Sequence, residues 1–266
     1  MKFKYDHDYH IHTYLSNCSN DPTQNPKSIL EYAKQNNLKE ICITDHFWDE
    51  RVDGASDWYR EHHKFSQISK NLPLPQVDGI KFYFGVETDL DKNCRLGISK
   101  SRFDELDFVI IPTTHLHMKG FTISEEDYDN PKIVAKLWAK RALKVLDMDL
   151  PFHKIGLAHL ACDLLGSTFE RSFETVDLIT NDDMYKVFKK AQEKAVGIEL
   201  NGGDVRHLDY AEDTILRMFR IAKDCKCKFY LGTDSHHPEN FAPLSRNFNR
   251  AIDALGLEES DRFYIK

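Results

Sequence analysis

Two histidines, His10 and His12, alternate with apolar residues in Asp8-Tyr9-His10-Ile11-His12-Thr13. In an extended strand, residues two apart project to one face, so both imidazoles point together while Tyr9 and Ile11 point away. Two adjacent imidazoles suit one divalent cation, because a neutral ring nitrogen offers a lone pair. An isolated His-x-His is more often a locally hydrogen-bonded strand. Here it is joined by His46, Glu87, His115, His159, Asp234 and His236, each in or just after a later apolar run. Ligand-type side chains repeated at one end of successive strands point to a shared metal centre. The sequence has no Gly-rich phosphate loop and no Ser-centred nucleophile elbow, which removes two competing site types.

The runs that must position these groups are short and mostly apolar. They predict strands over 5–11, 40–46, 80–86, 108–112, 155–158, 196–200 and 228–232. Helical spacing or a helix-start signal predicts helices from Pro26, over 58–72, over 131–146, from Asp182, over 210–225 and over 241–255. The tail 262–265 suits a short extra strand, and His62 and His63 read as solvated positions on the second helix. Seven strand–connection units imply parallel pairing and right-handed crossovers. The fold expected is α/β, a distorted seven-stranded (β/α)7 TIM-like barrel spanning 1–266 as one domain, with an open doubly wound sheet as the alternative. In such barrels the site lies at the C-terminal ends of the strands, where the ligand-type residues fall.

The 266 residues carry a formal charge of -7, which argues against binding a nucleic-acid backbone or an anionic membrane surface. A small phosphorylated substrate stays compatible, because bound cations reverse the local charge. The six cysteines are scattered without a Cys-x-x-Cys pair and read as reduced thiols in a cytoplasmic protein. The N-terminus lacks the apolar core of a signal peptide, and no run is long enough to span a bilayer. Nothing in the sequence addresses oligomeric state.

The ordered set His10-Ile11-His12-Thr13, Ile43-Thr44-Asp45-His46, Gly85-Val86-Glu87, Thr114-His115, Ala158-His159-Leu160 and Gly232-Thr233-Asp234-Ser235-His236 resembles the PHP (polymerase and histidinol phosphatase) phosphoesterases, among them the histidinol-phosphatase-like members. The resemblance implies a distorted seven-stranded barrel and a site for two to three divalent ions, zinc, iron or manganese. It implies that one ion takes His10, His12, Glu87 and Asp234. A second shares Glu87 and adds His115 and His159; a third takes His46 and His236. The family usually supplies a further His or Asp six residues beyond the second His of the opening motif, and Cys18 stands there in this chain. A thiolate ligand favours zinc or iron; Asn17, Asn20 or Asp21 is the alternative. Arg206 matches a phosphate-binding Arg after the sixth strand. A second family Arg, shortly after His159, has no counterpart in Leu160-Ala161-Cys162-Asp163-Leu164-Leu165, which weakens histidinol phosphate as the specific substrate.

The function implied is hydrolysis of a phosphomonoester by a metal-bridging hydroxide, with Glu87 and Asp234 as catalytic residues beside it. Arg206 and His117 would contact substrate, and Asp45 would hydrogen-bond a ligand histidine. Two rivals stand beside this reading. One is a metal-dependent amidohydrolase, disfavoured because no lysine ends the fourth strand. The other is a non-catalytic metal-binding barrel.

Overall fold

Strand and helix alternate along the chain, and every strand pairing is parallel. The computed structural model describes residues 1–241 and 244–266. β1 (His7–Ile11) leads to α1 (Pro26–Gln35), β2 (Glu40–Ile43) and a two-residue β3 (His46–Phe47). α2 (Asp57–His63), α3 (Phe65–Ile68), β4 (Lys81–Thr88), β5 (Phe108–Ile111), α4 (Pro131–Leu146) and β6 (Ile155–Leu157) follow. Then come α5 (Phe169–Leu178), α6 (Asn181–Lys194), β7 (Gly197–Asn201), α7 (Gly202–Val205), α8 (Leu208–Asp224), β8 (Lys228–Gly232) and α9 (Leu244–Leu255). Local signals set several helix starts. Asn25 accepts from the backbone of Lys27 and Ser28 ahead of Pro26, while Asn130, Thr168 and Thr180 cap α4, α5 and α6.

The strands lie in the order β1-β2-β4-β5-β6-β7-β8, with β3 paired to β4. Just beyond the paired strands the edges meet. Asp234 N donates to His10 O at 2.7 Å and His12 N to Ser235 O at 3.1 Å. These bonds draw the sheet nearly shut into the expected seven-stranded barrel. β5 shows how its alternation is used. Val109 and Ile111 join the large cluster shared with the helices, whereas Phe108 and Ile110 join Tyr9, Tyr83, Tyr230 and Phe263 in a cluster with no helical member. The second set therefore fills the barrel interior. Each large apolar side chain so buried contributes about 1.5–3 kcal/mol.

Several elements differ from expectation. The helix foreseen over 58–72 breaks at Lys64, whose extended backbone (φ -72°, ψ 163°) separates α2 from α3. His63 consequently turns inward and is 4% exposed, so it is no solvated surface position. α5 lies outside the predicted helices, although Phe169, Phe173 and Val176 stand at helical spacing behind the Thr168 cap. The tail makes a single bridge, Arg262 to Phe229, rather than a strand. The predicted start of the last helix includes 242–243, outside the described residues. No described helix is long and apolar enough to cross a membrane.

Candidate metal centre

Glu87 lies in the C-terminal half of β4, and its carboxylate is the hub of the barrel mouth. Oε1 lies 2.8 Å from His159 Nε2, 3.6 Å from His10 Nε2 and 3.7 Å from His115 Nε2. Oε2 lies 2.8 Å from His46 Nδ1 and 3.6 Å from His12 Nε2. Asp234 Oδ1 adds contacts of 3.4 Å to His10 Nε2 and 3.1 Å to His12 Nε2. The period-two strand places His10 and His12 side by side, with their Nε2 atoms 3.1 Å apart. β1, β3 and β4, and the turns after β5, β6 and β8, thus each deliver a ligand-type group to one spot.

What the arrangement lacks is hydrogen bonds. Both Glu87 oxygens, His46 Nδ1 and His159 Nε2 are buried without a hydrogen-bond partner. The facing nitrogens of His10 and His12 have their other nitrogens engaged, His10 Nδ1 with Glu199 Oε1 and His12 Nδ1 with Ser16 Oγ, both at 2.8 Å. In the tautomer with Nδ1 donating, the one a bound cation selects, each Nε2 presents a lone pair toward the other. Buried lone pairs in this density are costly unless a cation lies between them. Among the described residues, His10–His12–Asp234, His10–Glu87–His159 and His12–His46–His236 each hold ligand atoms within 4.8 Å of one another. The donor set, imidazole and carboxylate, fits borderline divalent ions such as zinc, iron or manganese.

The electrostatics point the same way. Burial would raise the Glu87 carboxyl, but His10, His115 and His46 hold it well below the ordinary carboxylate range. Asp234 is likewise held down against burial by His10, His12 and His159. Burial, reinforced by His236 and His46, pushes His12 well below its usual value. The two acids are therefore anionic and His12 is neutral, as cations require. Against burial, however, Glu199, Asp234 and Glu87 raise His10, and Glu87 raises His159 to about 9, so an entering ion must displace protons from those two rings. His159 (φ 38°) and Asp234 (φ 54°) both occupy the left-handed region. Such conformations cost about 1–3 kcal/mol each in a non-glycine residue and cluster at functional sites.

The supporting carboxylates are not the one expected. Asp45 touches no ligand histidine. It accepts from Thr13 N, Thr13 Oγ1 and Ser16 Oγ, each at 2.7 Å, and so acts on His12 only through Ser16. Its side chain turns back toward the β1 loop, where three donors converge. The direct partners are Glu199, on His10, and Asp89, whose Oδ1 accepts from His115 Nδ1 at 2.7 Å. Both were missed, yet both left a signal. Glu199 is a carboxylate inside an apolar strand, and Asp89 falls two residues after Glu87, on the same face. Gly232 makes room for the Glu199–His10 pair, since a Cβ there would collide with Glu199 Oε1 and His10 Cβ.

Above the hub lies a cavity of 390 Å³ lined by Cys18, His46, Glu87, His115, Asp234 and His236, with His63, His117, Trp58, Tyr59, Met118 and Leu164 around it. His10, His12 and His159 form the buried floor of the centre. His117 meets His115 edge-on with centroids 5.1 Å apart. Tyr59 donates its hydroxyl to Asp89. Arg206 is not brought to this wall. It is exposed at the end of the one-turn α7, and its Nε turns back to Gly202 O at 3.3 Å.

A model of the PHP domain matches residues 8–203. The chain belongs to the PHP family. The resemblance read from the ordered motifs is borne out, and with membership comes metal-dependent phosphoester hydrolysis. No curated protein matches. Among solved structures, the PHP chain is similar to histidinol phosphate phosphatase (HISK) from Lactococcus lactis subsp. lactis Il1403, determined in complex with zinc, L-histidinol and phosphate. The TM-score is 0.61 at 19% identity, covering 97% of this chain and 98% of that one. At that identity the likeness establishes the shared fold.

Proposed function

We propose that this chain hydrolyses a small phosphomonoester, in the manner of a histidinol phosphatase, as a single-domain cytoplasmic enzyme with two to three divalent ions. One observation carries the reading: a buried Glu87 faces five histidines within 4 Å, and neither of its oxygens is hydrogen-bonded. His10, His12, Glu87 and Asp234 would hold one ion, Glu87, His115 and His159 a second, and His46 with His236 a third. Bound there, the ions supply a water of lowered pKa and positive charge against the phosphoryl oxygens.

The chain's own residues do the rest. Glu87 and Asp234 would hold the ions and bring negative charge beside them, offsetting part of the cations' charge at the cavity floor. Asp89 and Glu199 hold His115 and His10 in the tautomer that leaves Nε2 free. His117 stands at the cavity edge, within reach of a substrate oxygen. Trp58, Tyr59, Met118 and Leu164 give the leaving group an apolar wall, and burial with the neighbouring His46 pushes His63 down to about 4, so it meets substrate uncharged. Arg206 can reach a bound phosphate only by swinging away from Gly202. The amidohydrolase rival is weakened because, among the described residues, no lysine lines the cavity.

The test is a phosphate-release screen on protein of measured metal content, using p-nitrophenyl phosphate, histidinol phosphate, nucleoside monophosphates and sugar phosphates. Turnover that disappears with chelation and returns with metal is expected. Bound metal with no turnover of any phosphoester would favour the non-catalytic barrel instead.

A further inference from the structure

His63 lies inside because α2 stops at it. The extended backbone of Lys64 turns this last residue of α2 inward, where Trp48 N donates to His63 O at 3.0 Å. Three rings hold its imidazole: Tyr59 with centroids 4.3 Å apart, His46 at 5.8 Å and Trp58 at 6.3 Å, the last two edge-on. Its Nδ1 lies 3.0 Å from Tyr59 O, the carbonyl one helical turn back. A carbonyl only accepts, so Nδ1 carries the proton. Nε2, at the far side of the uncharged ring, is then a bare lone pair. No described residue donates to that atom, and His63 belongs to none of the three ligand-type groups at the hub. It does line the cavity.

The wall beside that lone pair is flat, apolar and without cations. Trp58 is braced by His62, whose ring stacks on the indole at 4.5 Å and whose Nδ1 donates to Trp58 O at 2.7 Å. Tyr59 has its hydroxyl proton committed to Asp89, and Asp89 has its other oxygen on His115. Met118 and Leu164 complete the wall, and among the described residues no lysine or arginine lines the cavity. A second anionic group on the substrate would meet no counter-charge on this wall. We infer that His63 is a specificity-determining residue whose Nε2 accepts a hydrogen bond from an N–H or O–H on a flat, non-anionic leaving group lying against Trp58. The substrate class that follows is the phosphomonoester of an alcohol bearing an aromatic ring with such a donor. An analogue without the donor would strand the acceptor away from water, which is how a polar pocket rejects a molecule lacking one group.

This inference rests on the phosphatase reading proposed above, and the experiment separates the two. The probes are indolylethyl phosphate with its N-methyl counterpart, and para-hydroxyphenethyl phosphate with its methyl ether. Within each pair only the donor is lost, well away from phosphorus, so intrinsic reactivity is matched. kcat/KM is measured on metal-loaded native protein, His63→Phe and His63→Gln, with metal content and melting temperature alongside. The native protein should prefer the donor-bearing member of at least one pair by about tenfold or more. His63→Phe should bring that ratio to about unity by losing turnover on the donor-bearing member alone. His63→Gln, whose amide oxygen can accept, should restore part of the preference. Metal content should be native in both variants. A native ratio near unity in both pairs, or a ratio unchanged in His63→Phe, would overturn the acceptor role while turnover itself left the phosphatase reading standing. Loss of metal from both variants at native stability would overturn it too, by making His63 a ligand. Native metal content with no turnover of any phosphomonoester would overturn the phosphatase reading and this inference with it.

Discussion

The two ends of the barrel use the same residue types to opposite ends. At the N-terminal end Arg262 reaches Asp6 Oδ1 at 2.8 Å and Glu40 Oε2 at 2.5 Å. Tyr9 donates to Glu40, and Tyr83 donates to its other oxygen at 3.1 Å. Tyr9, Phe108, Tyr230 and Phe263 stop the interior above this network. Each carboxylate there has its guanidinium or phenol. At the C-terminal end Glu87 has no hydrogen bond and two lone-pair nitrogens face each other. One end is satisfied and the other is left unsatisfied, the state in which a buried carboxylate and imidazoles would draw in cations.

Substitutions should separate the ends. The largest effect on activity is expected from Glu87→Gln, because an amide cannot give the same charge to two cations. Turnover should fall to background, metal content by about one ion or more per chain, and the melting temperature of the metal-free protein should not drop, since only the bound ion's contribution is lost. Near-normal turnover with full metal content would refute the bridging role. Arg262→Ala is the converse. Leaving Glu40 and Asp6 without their partner should cost about 2–4 kcal/mol in urea unfolding, less than for a fully buried pair because both acids keep some water contact. Metal content at low temperature should be unchanged. If Arg262→Ala lost metal before it lost stability, the division between the ends would fail.

Smaller effects sharpen the picture at the open end. Asp89→Asn and Glu199→Gln should each weaken metal affinity by about 10–100-fold, since each removes the charge that orients a ligand histidine. Asp45→Asn, one serine further away, should weaken it less, and equilibrium competition with a chelator ranks the three. Trp58→Ala should raise KM for aromatic phosphomonoesters more than for phosphoglycerol, with kcat little changed. Arg206→Ala should have the smallest effect, a several-fold rise in KM at constant metal content; unaltered kinetics on every phosphomonoester would remove Arg206 from the phosphate site.

The ligand residues were legible because strand ends are. An apolar run stops, and a His, Glu or Asp stands where the chain leaves the sheet. The seven strands of the barrel were found within a few residues for the same reason, while the two-residue β3 was read as the end of β2. What the sequence hid depends on three-dimensional pairing. Nothing local tells whether Asp45 or Asp89 will face an imidazole nitrogen, because both flank ligand residues. The break at Lys64, which turns His63 inward, leaves no mark in a helical pattern that continues through it. Arg206 matched by position alone, and position does not fix where a long side chain on a one-turn helix will point.

The seam where Asp234 N meets His10 O has a consequence for how the protein comes into being. His10 and His12 leave the ribosome well before Asp234 and His236, which emerge some 220 residues later. The first of these side chains must therefore wait for their partners while the intervening barrel is made. A nascent chain arrested before β8 has neither a closed barrel nor a complete set of donors. Metal capture by His10, His12 and Asp234 would then be a test of completeness, tying β1 to the turn after β8 in a way that a chain lacking β8 could not match.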